Sequence, residues 1–166
     1  PFAIGKYEIS NADFNRYCDE TGDCKPHNGG QQLPAVNVSA TEAEGYANWL
    51  SKATGENYRL PSRKEWIYAA TAQGGGASRD FNCRVSLGDQ LIKGLSLLEV
   101  QVGTPNQWGL INYVGNAQEW ALGSGKIYAM GGSYQDSLST CSTTLARASS
   151  GDASPVTGFR VVRSLD

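Results

Sequence analysis

Three serines, each followed three residues later by an acidic side chain, constrain the fold of the first half of this chain. The pairs are Ser10 with Asp13, Ser39 with Glu42, and Ser62 with Glu65. A serine that precedes a helix accepts a hydrogen bond from a backbone N–H of the first turn, and an acid three residues on bonds back to the N–H of the serine. The spacing therefore predicts that three helices begin at these serines.

The ends and the buried faces of the three helices are also predicted. Gly22, Gly55 and the glycine run 74–76 follow the helical segments in turn, and glycine readily takes the left-handed backbone that closes a helix. Apolar and aromatic residues recur at helical spacing, and we interpret them as core anchors. They are Phe14, Tyr17 and Cys18 in the first helix, Ala43, Tyr46, Ala47 and Leu50 in the second, and Trp66, Ala69 and Ala70 in the third.

The helical period disappears after residue 76, where short apolar runs alternate with Gly, Ser, Asn and Pro. Runs 97–102, 126–130 and 159–162 are predicted strands, the last two in one small sheet. Such extensive loops occur where loops carry function or are held by a metal or disulfides. We therefore expect one loop-rich α+β domain over residues 1–166, with about three helices and small antiparallel sheets.

Composition excludes several classes of partner. A net charge of -2 and an isoelectric point near 5.4 provide no basic face for nucleic acid. No apolar run approaches the roughly 20 residues that span a bilayer, so we expect no direct membrane insertion by this segment. The chain begins at Pro1 without the charged and apolar regions of a signal peptide, and we interpret it as the C-terminal part of a longer chain.

The four cysteines predict two disulfides. None of them has the C-x-x-C spacing of zinc or thioredoxin-like sites. Cys18 and Cys24 bracket a turn-rich stretch, and Cys83 and Cys141 would then pair across the fold; four reduced, buried thiols are the alternative. Disulfides predict an extracytoplasmic location, whether periplasmic, cell-surface or secreted.

Three ordered blocks carry a resemblance to a known family. They are 112–120 (Asn-Tyr-Val-Gly-Asn-Ala-Gln-Glu-Trp), Gly-Gly-Ser at 131–133 and Gly-Phe-Arg-Val-Val at 158–162, and segments 6–11, 33–39 and 58–62 match earlier motifs. The chain resembles the formylglycine-generating enzyme family, also called sulfatase-modifying factors, a branch of the C-type-lectin-like fold. This implies that lectin-like fold and a bacterial protein, but the family contains oxidases, iron enzymes and binding modules, so fold alone does not give function.

The resemblance implies a structural calcium ion. The matching ligands are the side chains of Asn112 and Glu119 and the main-chain carbonyls of Gly115 and Ala117. Calcium takes six to eight oxygen ligands and accepts carbonyls beside a carboxylate. The alternative is a turn without metal, in which Glu119 forms hydrogen bonds or an ion pair.

The catalytic residues of the enzymatic relatives are incomplete. The oxidases of the family have cysteines three and eight positions after the serine of Gly-Gly-Ser, and those positions here are Asp136 and Cys141. One thiol cannot form the two-thiolate copper site. The iron branch uses three histidines, whereas His27 is the single histidine of this chain. We therefore expect no copper, no iron and no catalysis.

The last 31 residues have an unusual composition. From Asp136 to Asp166 there is no Lys, Glu, Gln, Met, Trp or Asn, and the stretch from Ser137 to Ser154 is rich in small and hydroxylic residues. Every residue from Asp136 to Asp166 can be encoded by a codon that ends in a pyrimidine. In this respect the segment resembles the variable proteins of diversity-generating retroelements, a group that uses this same domain. An ordinary Ser/Thr-rich surface loop is the alternative.

These observations favour a non-catalytic module that binds an unknown protein or surface ligand through the segment between Ala121 and Val156. Tyr offers stiff amphipathic area, and Ser and Asp offer adaptable hydrogen bonds. The candidate contact residues are Tyr128, Tyr134, Asp136, Ser150, Asp152 and Ser154. The alternatives are an extracytoplasmic sensor domain of a membrane kinase or secretion regulator, and a copper oxidase that uses Cys141, which Asp136 argues against.

Overall fold

The computed structural model describes residues 1–72 and 80–166. Its helices are α1 (Asn11–Thr21), α2 (Ala40–Thr54) and α3 (Arg63–Thr71). Its strands are β1 (Phe2–Ile4), β2 (Tyr58–Arg59), β3 (Val85–Leu87), β4 (Gln90–Lys93), β5 (Gln118–Gly123), β6 (Lys126–Met130), β7 (Ala146–Ser149), β8 (Thr157–Gly158) and β9 (Val162–Ser164). The predicted α+β class is confirmed.

All three predicted helix starts are confirmed. Each N-terminal serine forms a complete capping box, with backbone N to Oγ distances of 3.2, 3.1 and 3.0 Å in α1, α2 and α3. Gly22 and Gly55 close α1 and α2 with φ of 71° and 76°. The predicted end of α3 at 74–76 lies outside the described residues; α3 ends at Thr71, and Ala72 takes the left-handed conformation.

The strands form three sheets. The first has the order β1-β9-β2, so the two ends of the chain meet, with Phe2 opposite Ser164. Strands β3 and β4 form a separate hairpin, and the third sheet has the order β7-β6-β5-β8. Within the third sheet β8 runs parallel to β5, whereas the other pairs are antiparallel.

Two of the three predicted strands need correction. The prediction of a strand over 126–130 is confirmed as β6. The prediction of a strand over 97–102 is wrong, because this segment forms isolated hydrogen bonds to loops in place of a ladder with another strand. Leu98 N donates to Asn116 Oδ1, and Val100 N donates to Gln32 O. The strand over 159–162 is wrong except at Val162, where β9 begins, and β9 lies in the first sheet, apart from β6.

The third sheet has a core on both faces because side chains alternate along each strand. Trp120 and Ala129 pack on the face that α1 and α2 cover. Ala121 and Met130 point the other way and pack with Trp66 of α3. Helix α3 is thereby fixed against the surface of β5 and β6.

Both predicted disulfides are present, and all four cysteines are paired. Cys18–Cys24 closes the end of α1. Cys83–Cys141 ties the segment before β3 to the loop between β6 and β7. Within 1–72 and 80–166, none of the helices is long and apolar enough to cross a membrane.

Candidate functional site

A buried ion pair lies under the 112–120 segment. Glu119 of β5 and Arg160 are both buried, with Nε to Oε1 and Nη2 to Oε2 distances of 2.7 and 2.9 Å. Trp66 Nε1 of α3 also donates to Glu119 Oε1, at 2.9 Å. Arg160 donates further to the carbonyls of Gly5, Lys6 and Ile111. The pair therefore joins the 112–120 segment, the Gly-Phe-Arg block, α3 and the N-terminal segment.

A second carboxylate, Glu8, is buried beside this pair. Asn116 Nδ2 donates to its Oε1 at 3.0 Å, and Ala117 N donates to its Oε2 at 3.4 Å. Burial raises the pKa of Glu8 well above its usual value, and the charge of Glu119 raises it further, although Arg160 opposes both effects. Two carboxylates thus lie near one guanidinium, which is bonded to Glu119, so this centre is electronegative when both carboxylates are ionised.

The four predicted calcium ligands all lie in the 112–120 segment. Three left-handed residues, Asn112, Gly115 and Asn116, curl the segment into a tight loop. Asn112 lines a small cavity of about 10 Å³, but Gly115, Ala117 and Glu119 are not among its described lining residues. Three N–H donors bond to the Glu119 carboxylate, which has about four lone-pair positions, so one remains.

Amide, carbonyl and carboxylate oxygens are the donors that calcium prefers, and Glu8 adds a negative charge that favours a cation when it is ionised. Among the residues that the structure describes, no cluster of three His, Cys, Asp or Glu side chains could hold a metal. A metal at this loop would therefore depend on the carbonyl and amide oxygens of Asn112, Gly115 and Ala117. The residues fit calcium in kind, and the calcium site stays a prediction.

The two positions that hold thiols in the oxidases are both occupied by structural bonds. Arg147 of β7 forms a bidentate ion pair with Asp136, with distances of 2.7 and 3.0 Å, and Ser133 N donates to Asp136 Oδ2 at 2.8 Å. The bond from Arg147 is the main reason that the pKa of Asp136 is lowered. Cys141 is bonded to Cys83. Neither position presents a thiolate.

The six predicted contact residues lie in three separate places. Tyr128 lies on the sheet face covered by α3, whereas Tyr134 and Asp136 belong to the turn after β6. The 150–154 loop packs against the start of α2, where Ala40 N donates to Gly151 O and Asn37 N donates to Ser154 O, both at 2.9 Å. The structure thus does not gather these residues into one pocket, and their ligand contacts stay predictions.

The hydroxyl-rich loop 137–144 is held to the domain at Leu138 and at Cys141. Leu138 N donates to Arg84 O at 3.0 Å, and Cys141 carries the disulfide to Cys83. Next to these anchors, Ser137 Oγ lies 2.9 Å from the Thr140 hydroxyl. The loop is therefore fixed on the domain while its hydroxyls face the surface.

A groove beside α3 was not predicted from the sequence. Its cavity of about 480 Å³ is lined by Ser62, Arg63, Lys64, Ile67, Leu122, Gly123, Ser124 and Tyr128. A second hollow of about 420 Å³ shares Ser62 and Leu122 with it and adds Glu44, Ala47, Asn48, Arg59 and Leu60. The sequence feature that could have indicated this groove is a pair of cations, Arg63 and Lys64, in the first turn of a helix, where the macrodipole disfavours positive charge.

The family follows from comparison with known proteins. Residues 1–165 match the model of the sulfatase-modifying factor enzyme 1-like domain. The chain belongs to this family. It is 35% identical to a formylglycine-generating enzyme of Streptomyces coelicolor, over 52% of this chain and 31% of that protein. It is 33% identical to the serine/threonine-protein kinase pkn1 of Chlamydia pneumoniae, over 52% of this chain and 13% of that protein. The chain thus matches less than a third of the length of these curated relatives.

Solved structures share the fold over nearly the whole chain. The structure of PvdO from Pseudomonas aeruginosa has a TM-score of 0.79 and 23% identity, covering 99% of this chain and 81% of that one. CarF has a TM-score of 0.73 and 26% identity, covering 100% and 87%. Treponema denticola variable protein 1 has a TM-score of 0.78 and 18% identity, covering 98% and 84%. The predicted lectin-like fold of the formylglycine-generating type is confirmed, in a family that includes enzymes and non-catalytic members.

Proposed function

We propose that this domain is a non-catalytic binding module that presents its C-terminal third to a protein or surface ligand. One observation carries the proposal: Asp136 is paired with Arg147, and Cys141 is paired with Cys83. Copper oxidases of this family need both positions as thiolates, and softness of the ligands selects the metal. A carboxylate locked by arginine and an oxidised sulfur supply neither thiolate.

The rigid mounting of the C-terminal loops supports a binding role. A disulfide, a bidentate ion pair and strand β7 fix the segment from Ser133 to Ser149. Binding residues are commonly found on loops that a rigid scaffold positions. The hydroxyl-rich surface of loop 137–144 resembles the adaptable polar part of antibody-type binding sites. The shared fold of the Treponema denticola variable protein is compatible with this role.

A sensor domain of a larger kinase is the second candidate function. It is favoured by the match to pkn1, in which the chain corresponds to 13% of the length of the protein. Both candidates fit an extracytoplasmic location, which the two disulfides support. The DNA that flanks the gene separates them: a reverse transcriptase with a near-copy repeat supports the variable module, and an upstream kinase domain supports the sensor.

An oxidation assay tests the absence of catalysis. The domain is incubated with copper, oxygen and a cysteine-containing sulfatase peptide, and the peptide is followed by mass spectrometry beside the Streptomyces coelicolor enzyme as positive control. We expect no formylglycine from this domain. Conversion of the peptide would refute the proposal, whereas Cys141→Ala should change stability alone.

A surface variant tests binding. Tyr134, Ser150, Asp152 and Ser154 are exchanged together for alanine, and Asp136 is kept because its loss would release Arg147. Ser150 and Asp152 are exposed, and Tyr134 and Ser154 are half-buried. Surface substitutions usually change stability by within about 0.5 kcal/mol each, so the fold should persist. Binding to a partner from a protein-array screen should be lost. A control exchanges Lys25, Gln31, Lys52 and Asp89, which lie elsewhere on the surface, and should bind normally. Full affinity in the first variant would contradict the proposed surface.

A further inference from the structure

We propose that the groove beside α3 binds an extended peptide segment of a partner protein, with an acidic residue at one end of the segment and a basic residue at the other. The carboxylate of the peptide lies at Arg63 and Lys64, and its chain crosses Leu122 toward Glu44. This inference rests on the proposed binding function and names the ligand class for the part of the surface that contains Tyr128. It adds a site built mainly from residues outside the C-terminal third.

Arg63 contacts the ring of Tyr128 at the edge of the groove. Its guanidinium lies over the ring of Tyr128, 4.9 Å from the ring centroid. This cation–π contact uses none of the N–H donors of the guanidinium. Within the described parts of the chain, Arg63 makes no ion pair or hydrogen bond through its side chain. Its planar fork therefore remains available for the two oxygens of a carboxylate.

The hollow that contains Arg63 is positively charged. Lys64 is a second exposed cation in its lining, and none of its described lining residues is acidic. The nearby Glu65 is committed to Arg59, with N to O distances of 2.7 and 2.8 Å. In the first turn of α3 both cations oppose the helix macrodipole, so their placement does not help the helix. Charge complementarity thus points to an anionic group.

The shape of the groove favours a peptide over a small anion. Ile67, Leu122 and Tyr128 give the hollow an apolar floor. The second hollow meets it at Ser62 and Leu122, so a ligand can continue from one to the other. Their volumes of about 480 and 420 Å³ exceed what an isolated carboxylate needs. A peptide with an apolar residue beside its acid fills both.

The two ends of the groove differ in charge, which gives the peptide a direction. Glu44 is exposed in the second hollow, and Asn48 lies beside it. Arg59 also lines this hollow but is neutralised by Glu65. The groove therefore favours a peptide with its acid at the Arg63 end and a basic residue at the Glu44 end. A nucleic acid has no counterpart for the acidic end.

Two six-residue peptides serve as probes; each spans about 20 Å when extended. One is acetyl-Glu-Leu-Gly-Ser-Leu-Lys-amide, and the other has Ala in place of both Glu and Lys. Binding is followed on the isotopically labelled domain by NMR titration. We expect the charged peptide to shift the amides of residues 62–67 and 122–128. The Arg63→Glu/Lys64→Glu variant should bind it at least about tenfold more weakly, since charge-assisted contacts become repulsive.

A control variant, Lys25→Glu/Lys52→Glu, has the same change in net charge outside the groove and should retain affinity. Tyr128→Leu removes the ring that contacts Arg63 and should weaken binding severalfold. Because Tyr128 also packs against the core around Trp66, circular dichroism checks that this variant stays folded. Equal binding of both peptides, shifts outside the groove, or equal losses in the two double variants would overturn the proposal. So would the absence of any shift at millimolar peptide. Each outcome is independent of the oxidation assay, so the absence of peptide binding in the groove would leave the proposed non-catalytic function untouched.

Discussion

Removing the disulfide Cys83–Cys141 should destabilise the domain about twice as much as removing Cys18–Cys24. The first bond joins residues 58 positions apart, and the second joins residues 6 apart. In the chain-entropy model a disulfide restricts the unfolded chain in proportion to the logarithm of the loop it closes. The two separations correspond to about 4 and about 2 kcal/mol at 25 °C.

The difference is large enough to measure in paired alanine variants. For a domain of 166 residues, 1 kcal/mol lowers the melting temperature by about 2–4 °C. Cys83→Ala/Cys141→Ala should therefore melt about 8–16 °C below the wild type, and Cys18→Ala/Cys24→Ala about 4–8 °C below it. Circular dichroism without reductant gives the melting temperatures, and urea titration gives the free energies and their denaturant dependence.

Both variants should also show a steeper urea dependence, because an uncrosslinked unfolded chain exposes more surface. Replacing the fully buried Cys83 adds a packing loss in the same direction. Equal destabilisation by the two double variants, or a greater loss at Cys18–Cys24, would refute the loop-closure reasoning. A wild-type sample with four thiols that can be alkylated before reduction would refute the pairing itself.

Three further outcomes are expected. Arg160→Met should lower the free energy of unfolding in urea by about 3–5 kcal/mol, because Glu119 then stays buried without its cation; no loss would contradict the role of the pair. Glu65, whose pKa Arg59 lowers to about 2, adds stability that is full above pH 4.5 and lost as pH falls toward 2. Arg59→Met should therefore reduce the loss of unfolding free energy between pH 4.5 and pH 2. The same loss in the variant and the wild type would contradict the contribution of this ion pair. Calcium at a hundredfold excess over its Kd should add about 2.7 kcal/mol to the free energy of unfolding, so a chelator should lower the melting temperature. Asn112→Ala should abolish this response, and a wild type whose melting temperature does not change with chelator would exclude calcium.

Local chemistry explains why the first half of the fold could be predicted from sequence. A capping box needs a serine and an acid three residues apart, and α1, α2 and α3 each satisfy it within their own first turn. Gly22 and Gly55 close their helices without help from distant residues. The periodic aromatics Phe14 and Trp66 then fall in the core as expected.

The strands could not be predicted as well because their partners are distant in sequence. The 97–102 segment has the composition of a strand, but Asn116 supplies a side-chain oxygen to Leu98 N where a strand would supply a carbonyl. Strand β9 needs β1 from the other end of the chain, with Ile4 opposite Val162. A local pattern contains no information about such pairings, whose geometry the tertiary structure decides.

The same distinction separates the predicted and unpredicted parts of the candidate sites. The loss of a thiol at Asp136 is visible in one short motif, so the absence of the oxidase pair could be predicted. The groove requires Arg63 to meet Tyr128 across 65 positions of sequence, and nothing near either residue indicates the stacking. The partner of Asp136 was equally hidden, since Arg147 reaches it only through the pairing of β6 with β7.

The bonds at the two former thiol positions predict that exposed positions of the C-terminal loop tolerate substitution while the domain stays folded. Asp136, Cys141 and Arg147 connect the loop to the sheet and to Cys83, so changes there would loosen its base. The hydroxyls of loop 137–144 instead lie beside hydroxyls of the same loop, as at Ser142 and Thr144, and changing them removes exposed local contacts. Exposed substitutions of that kind have small effects on stability. A scaffold with fixed anchors and energetically independent exposed positions is what a binding module with a changeable surface requires.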